Sequence, residues 1–244
     1  MTCRRASRTA FLAFLAIGFQ HAPALGATTV YSNDFEAKPG SVFPQWSSSP
    51  IVFASRANPK DAGTLLPPRV TNAESPQGRR RFLGEFGGPK LDPTARTRVQ
   101  QSVFLKLKDL PPHQSLTLEF DLLLLKSWDG SSPQYGPDRF LVRLPGGPTL
   151  LDTTFSNNPK TATDRSFQDH PRPNSPPRTG AVAVKQLGYG FFGDSTYHFT
   201  FTVPHDAKTL TLEFASDLFE GKGTDDESWG LDNVRVRIPE RTAR

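Results

Sequence analysis

Residues 116–124 read LTLEFDLLL, and their alternation decides the fold. Leu116, Leu118, Phe120, Leu122 and Leu124 share one parity, and Thr117, Glu119 and Asp121 the other. Successive side chains of a strand point to opposite faces, so this is a nine-residue strand with one apolar face. Shorter segments of the same kind surround it. Residues 99–107 place Val103, Leu105 and Leu107 on one face. Pro111-Pro112 then turns the chain, so 99–107 and 116–124 are expected to be neighbours in one sheet. Residues 138–144 and 149–155 flank Pro145-Gly146-Gly147, a hairpin signal. Residues 29–35, 197–203, 209–214 and 234–238 complete the set. The chain holds 23 prolines and 19 glycines, and no amphipathic helix of length follows its N-terminus. Many short strands between turn signals make an all-β sandwich or barrel.

Two stretches break the pattern. Residues 51–77 are rich in Pro, Ala and Asn, and residues 156–180 hold Pro, Asn, Arg and Ser with little apolar content. A connection of the second length is expected to be functional or mobile. Neither is clean enough to divide the chain.

Arg4, Arg5 and Arg8 precede the apolar run AFLAFLAIGF at 10–19, and small residues follow at Ala24, Gly26 and Ala27. That order is a secretory signal, too short to span a bilayer. The expected organisation is a signal peptide at 1–27, a single β-sandwich domain at 28–239 and a short tail at 240–244. Export then delivers a secreted, periplasmic or extracellular domain, with no membrane span after signal cleavage. The one cysteine, Cys3, falls inside the signal. Loss of the signal's three arginines lowers the formal net charge from +5 to +2. The basic run Arg79-Arg80-Arg81 is brief and has no interleaved aromatics, which excludes nucleic acid as a partner.

Carboxylates gather at strand ends: Asp34 and Glu36 after the first strand, Asp129 and Asp138 in turns, and Asp226 and Asp232 around the last strand. Calcium takes six to eight oxygen ligands, and such loops can supply them. First and last strands often lie side by side, so Glu36 and Asp232 are expected to meet. Asp and Asn also favour turns for their own sake. Sugar rings stack on exposed aromatic faces, and Trp46, Trp128 and Tyr135 fall in expected turns. HExxH, GxSxG and Walker motifs are absent, and His113, His170, His198 and His205 stand in unrelated contexts.

NDFE at 33–36, Trp46 and WGLDNVRV at 229–236 resemble the two ends of jelly-roll carbohydrate-binding modules of the family 4/22 type. LPPHQSLTLEFDLLLLKSWDG, YGPDRF, LLDTTFSN and DESWGLDNV resemble an uncharacterised group of secreted bacterial β-sandwich proteins. The resemblance covers most of residues 29–238. It implies an antiparallel sandwich of jelly-roll (concanavalin/galactose-binding-like) type. It also implies a structural calcium between first and last strands, with Glu36 and Asp232 as ligands and Asp34 next. Asp129, Asp138 and Asp226 then form a second cluster or face a ligand with Trp46, Trp128 and Tyr135. Sorting tails of the group have no counterpart after Ile238. The leading expectation is a secreted, non-catalytic module for extracellular polysaccharide. An envelope or matrix protein, using residues 156–180 against a partner, is the second. A polysaccharide hydrolase or lyase using Asp129 or Asp226 is the third.

Overall fold

The computed structural model describes residues 26–55, 60, 62–78, 80–91, 97–219 and 222–240. The expected signal peptide therefore lies almost wholly outside the described residues. In chain order the strands are β1 (Ala27–Asn33), β2 (Trp46–Ser48), β3 (Ile51–Ser55), β4 (Ala62–Leu65), β5 (Asn72–Glu74), β6 (Arg81–Phe86) and β7 (Thr97–Leu107). They continue with β8 (Ser115–Lys126), β9 (Arg139–Arg143), β10 (Thr149–Thr154), β11 (Ala183–Val184), β12 (Asp194–Pro204), β13 (Leu210–Leu218) and β14 (Glu227–Pro239). One four-residue helix, α1 (Thr161–Asp164), interrupts them.

The strands form two antiparallel sheets packed as a jelly-roll sandwich. Sheet one runs β11-β12-β8-β14-β6-β5, with β1 also paired to β14. Sheet two runs β10-β9-β13-β7-β3-β4, with β2 also paired to β7. First and last strands are neighbours, as expected, and β9 and β10 form the expected hairpin. One expectation fails. β7 and β8 are not neighbours: β7 pairs with β13 in sheet two, and β8 lies between β12 and β14 in sheet one. Pro111-Pro112 carries the chain across the sandwich. Each strand has one apolar face, and those faces must meet, so the crossing buries both.

The alternating set of β8 (Leu116, Leu118, Phe120, Leu122 and Leu124) is wholly buried. Phe120 lies 5.4 Å from Phe199 within its sheet and 5.2 Å from Phe214 across the core. Trp229 sits between Phe86 at 4.6 Å and Phe140 at 4.9 Å. Leu123 and Leu125 point the other way and are buried too. Residues 185–193 lie over that outer face, where Leu187 and Tyr189 join Phe82 and both leucines in a second small cluster. The Tyr189 hydroxyl donates to Glu85 at 2.7 Å. The run of four leucines is thus a strand covered on both sides.

At one end the β7–β8 and β12–β13 connections meet through two histidines. The Pro111 carbonyl can only accept, so His113 Nδ1 donates to it at 2.6 Å. His113 Nε2 and His205 Nδ1 share a hydrogen bond at 2.7 Å. Burial holds the His205 imidazole below its ordinary range, and the charge of a protonated His113 would lower it further. Burial lowers His170 as well. The folded protein resists protons that the unfolded chain accepts below roughly pH 6.5, so stability is present above that value and lost as pH falls. Thermal melts between pH 7.5 and pH 5 should show a steeper fall for the wild type than for His205→Asn. Equal slopes would remove this pair as the sensor.

Candidate functional site

β8 runs out of sheet one through Ser127 and Trp128 into Asp129, and β9 is preceded by Pro137-Asp138. Both connections end where β14 begins, at Glu227. One carboxylate oxygen from each of Asp129, Asp138 and Glu227 lies within 4.8 Å of the others, and all three side chains are buried. Among the described residues this is the one such convergence of three carboxylate or imidazole groups. Backbone geometry holds it. Asp138 accepts from the amides of Asp129 and of Phe219, the latter at 3.2 Å. Asp129 accepts from the Asn158 side chain. Gly130 has φ +63°, and a Cβ there would lie 2.2 Å from the Phe167 carbonyl oxygen, so only glycine allows this turn. Burial, then the charge of Asp129, holds the Asp138 carboxyl well above the ordinary carboxylate range.

Asp226, the expected third member, is turned away. Its Oδ1 accepts from the Ser127 hydroxyl at 2.6 Å, and its Oδ2 pairs with Lys222 at 3.0 Å. Glu227 takes the inward place. It shares parity with Trp229 and Leu231 along β14, and both of those line the core. Extending that alternation two residues upstream was the available signal.

The expected pair at the first and last strands is engaged by neighbouring groups. Asp232 Oδ2 accepts from Arg80 Nε, and Arg80 Nη2 reaches Asp121 at 2.6 Å. His198 Nδ1 lies 2.8 Å from the other Asp121 oxygen. Burial pushes Asp232 up to about 6 despite Arg80. Asp121 is held below its ordinary value: burial opposes this, and bonds from His198, Asn233 and Arg80 outweigh it. Glu36 Oε1 lies 3.4 Å from the Arg81 amide, and Asp34 Oδ1 accepts from the Glu36 amide at 3.3 Å. A guanidinium therefore occupies the position a cation would take at Asp232.

The tryptophans are also corrected. Trp46 is 6 % exposed and Trp128 fully buried, so neither offers a face to a sugar. Their indole N–H groups are satisfied inside, by the Tyr31 hydroxyl at 2.6 Å and the Ser228 carbonyl at 2.8 Å. Both rings are core wedges at the ends of strands. Tyr135 is half-buried, and its hydroxyl accepts from Gln134 at 2.7 Å.

No motif marked a second locus, on the outer face of sheet two. Ladder pairing sets three rows of side chains across β9, β13 and β7. Leu141, Ala215 and Ser102 form the middle row. Arg143, Glu213 and Phe104 stand on one side, and Arg139, Asp217 and Gln100 on the other. Short side chains flanked by long ones make a trough of about 740 Å³, counting its open mouth, with Asp152 of β10 at its end. Four strands at the usual spacing give it a length of about 14 Å. Its walls are fixed: Arg143 donates to Glu213 at 2.6 Å, Ser102 to Glu213 at 2.7 Å and Gln100 to Asp217 at 3.0 Å. Arg98 also grips Asp217, and Arg139 pairs with Asp152 at 2.5 Å. Three guanidiniums thus face three carboxylates.

Residues 156–180 pack beside the carboxylate cluster as a polar core. Asn157 donates to the carbonyls of Leu124 and Lys126 at 3.1 Å each, and Gln168 donates to the Thr179 carbonyl at 2.9 Å. Ser156, Asn157, Ser166 and Gln168 are fully buried.

No family model matches the chain, and no curated protein matches it. Among solved structures it is similar to TmCBM27, a mannan-recognising carbohydrate-binding module. That match has 15 % identity over 89 % of this chain and 99 % of that one, with a TM-score of 0.42. It is similar to CBM28, a module specific for non-crystalline cellulose, at 14 % identity over 75 % and 86 %, TM-score 0.33. A third likeness is to the cleaved K2 adhesin domain of Lys-gingipain, at 12 % identity over 84 % and 96 %, TM-score 0.34. At these scores the likeness is loose, and the site rests on its own geometry.

Proposed function

We propose that this protein is an exported, non-catalytic module that binds a polysaccharide chain in the trough of sheet two. The trough itself carries the reading. A sugar chain offers apolar C–H faces and rows of hydroxyls. Leu141 and Ala215 provide an apolar floor, and the guanidinium, carboxylate and amide groups of the walls can donate to and accept from hydroxyls. Those groups are already held by one another, so little side-chain order is lost on binding. Arg98, Arg139 and Arg143 balance Asp152, Glu213 and Asp217, so the trough suits an uncharged glycan. Export rests on the order of Arg4 to Arg8, the apolar run and Ala24 to Ala27.

Calcium belongs to the same proposal, at Asp129, Asp138 and Glu227. The donor set fits: three carboxylates, all oxygen, buried and converging. Buried like charges repel strongly, and a bound divalent cation would compensate them. Seated there, it would tie the ends of β8, β9 and β14 together. The carboxylates are sealed from any polymer, which favours an ion-holding role over bond cleavage.

Two measurements test these parts separately. Affinity electrophoresis through gels containing neutral polysaccharides should retard the wild type. Ala215→Arg fills the floor from an exposed face, so it should weaken retardation by at least about tenfold while leaving the melting temperature unchanged. A wild type that no neutral glycan retards, or an Ala215→Arg protein retarded equally, overturns the trough. For calcium, melts with the ion and with chelator should differ. A ligand held by the native state alone adds about 2.7 kcal/mol at a concentration of about one hundred times Kd. Asp138→Asn should lose that difference, and a wild type that melts alike in both conditions has no calcium site.

A further inference from the structure

We propose that the corner formed by residues 182–193 docks on an anionic lipid surface. This goes beyond the glycan reading and does not depend on it. Phe191 is 71 % exposed and Val182 66 % exposed. Among the described residues Phe191 is the one exposed phenylalanine or tryptophan.

Both side chains project from a rigid frame. The Val182 amide donates to the Thr196 carbonyl at 2.8 Å, and β11 then pairs with the first turns of β12. The Lys185 amide donates to the Asp194 carbonyl at 2.9 Å. Beyond it the chain is GYGFFG, residues 188–193, with positive φ at Gly188, Gly190 and Gly193. Tyr189 anchors this turn in the small outer cluster, and the Gly193 amide donates to the Tyr189 carbonyl at 3.0 Å. Arg178 clamps it from behind, donating to the carbonyls of Asn157 and Phe192. The Phe192 ring meets the Phe191 ring edge-on at 5.1 Å. Phe191 is therefore held out into solvent by a built turn.

The segment that carries them is basic. Residues 156–194 contain Lys160, Arg165, Arg172, Arg178 and Lys185 against Asp164, Asp169 and Asp194, and the Asp194 carboxylate is turned to the amides of Gln186 and Leu187. Their balance of +2 equals that of the whole chain beyond residue 27. Lys160, Arg165, Arg172 and Lys185 are exposed, and none makes a direct ion pair among the described residues. Asp169 is turned inward to the Ser131 hydroxyl at 2.9 Å, and Asp164 to the Asn158 amide at 3.0 Å.

Isolated projecting apolar groups decide the kind of partner. A stable protein interface needs a contiguous complementary patch of about 800 Å² on each side. Two separate side chains do not make one. A lipid surface has no fixed shape to match, and it rewards each apolar group that enters the headgroup boundary. Anionic headgroups add attraction for each nearby lysine or arginine, and salt screens it.

Sedimentation with vesicles tests this. The protein should bind vesicles of phosphatidylglycerol mixed with phosphatidylcholine, release as sodium chloride rises, and ignore phosphatidylcholine alone. The pair Phe191→Ser with Val182→Ser should weaken binding at least about tenfold, since each side chain loses its apolar burial. Phe191→Trp should keep binding and shift its emission to the blue on anionic vesicles. Ala215→Arg should bind vesicles like the wild type, which separates this corner from the trough. No binding to anionic vesicles, equal binding by the double serine variant, or equal binding to neutral vesicles overturns the proposal. So does loss of glycan retardation in the double serine variant with vesicle binding intact, which would make Phe191 a sugar platform.

Discussion

β8 is hydrogen bonded along both edges, to β12 over eleven residue pairs and to β14 over nine. Everything else is placed by that double pairing. A central strand with a wholly apolar face must be covered by a second sheet, and β7, β9 and β13 provide it. From Leu122 to Leu125 every side chain is buried, so the outer face needs a cover as well. Residues 185–193 supply it and, in doing so, throw Phe191 outward. The functional surfaces are by-products of how this strand is sealed.

The end of β8 sets the remaining chemistry. Trp128 closes the core just beyond the strand, and Asp129 follows it into a turn that only Gly130 permits. β14 returns antiparallel beside β8, with Glu227 opposite Lys126. Glu227 is therefore brought to Asp129 by the ladder, and Asp138 by the return into β9. Lys126 itself points away, donating to Glu85 at 2.9 Å on the outer face. A positive φ at Lys126 (+68°) thus turns this cation away from Glu227, its partner across the ladder.

Much of this was legible in the chain and some was not, for identifiable reasons. Period-two alternation read the core face of β8 correctly, because that strand is long and the face is wholly apolar. It did not say which sheet each strand joins. Pro111-Pro112 is compatible with a hairpin or a crossing, and only pairing partners far along the chain distinguish them. Trp46 and Trp128 looked like turn residues because their neighbours are polar, yet each indole finds an internal acceptor and stays in the core. Asp232 reads as a metal ligand in the chain, and its pairing with Arg80, 152 positions away, has no local signature. The trough left no local signature at all. Its floor and walls come from three strands scattered over more than a hundred residues, each contributing every second side chain.

Charge count and charge pairing give opposite impressions of this molecule, and pairing is the better guide. The trough is dense in charge, yet its guanidiniums and carboxylates neutralise one another at fixed distances. What remains is a set of oriented donors and acceptors, suited to hydroxyls and indifferent to net charge. The corner at 182–193 holds fewer charges in view, but its acids are spent on Ser131, Asn158 and the turns around them. Lys160, Arg165, Arg172 and Lys185 are exposed and make no direct ion pair among the described residues, in the same segment as the exposed Val182 and Phe191. Salt should therefore act on the two surfaces differently: strongly on the unpaired corner, and weakly on a trough whose charges are already satisfied.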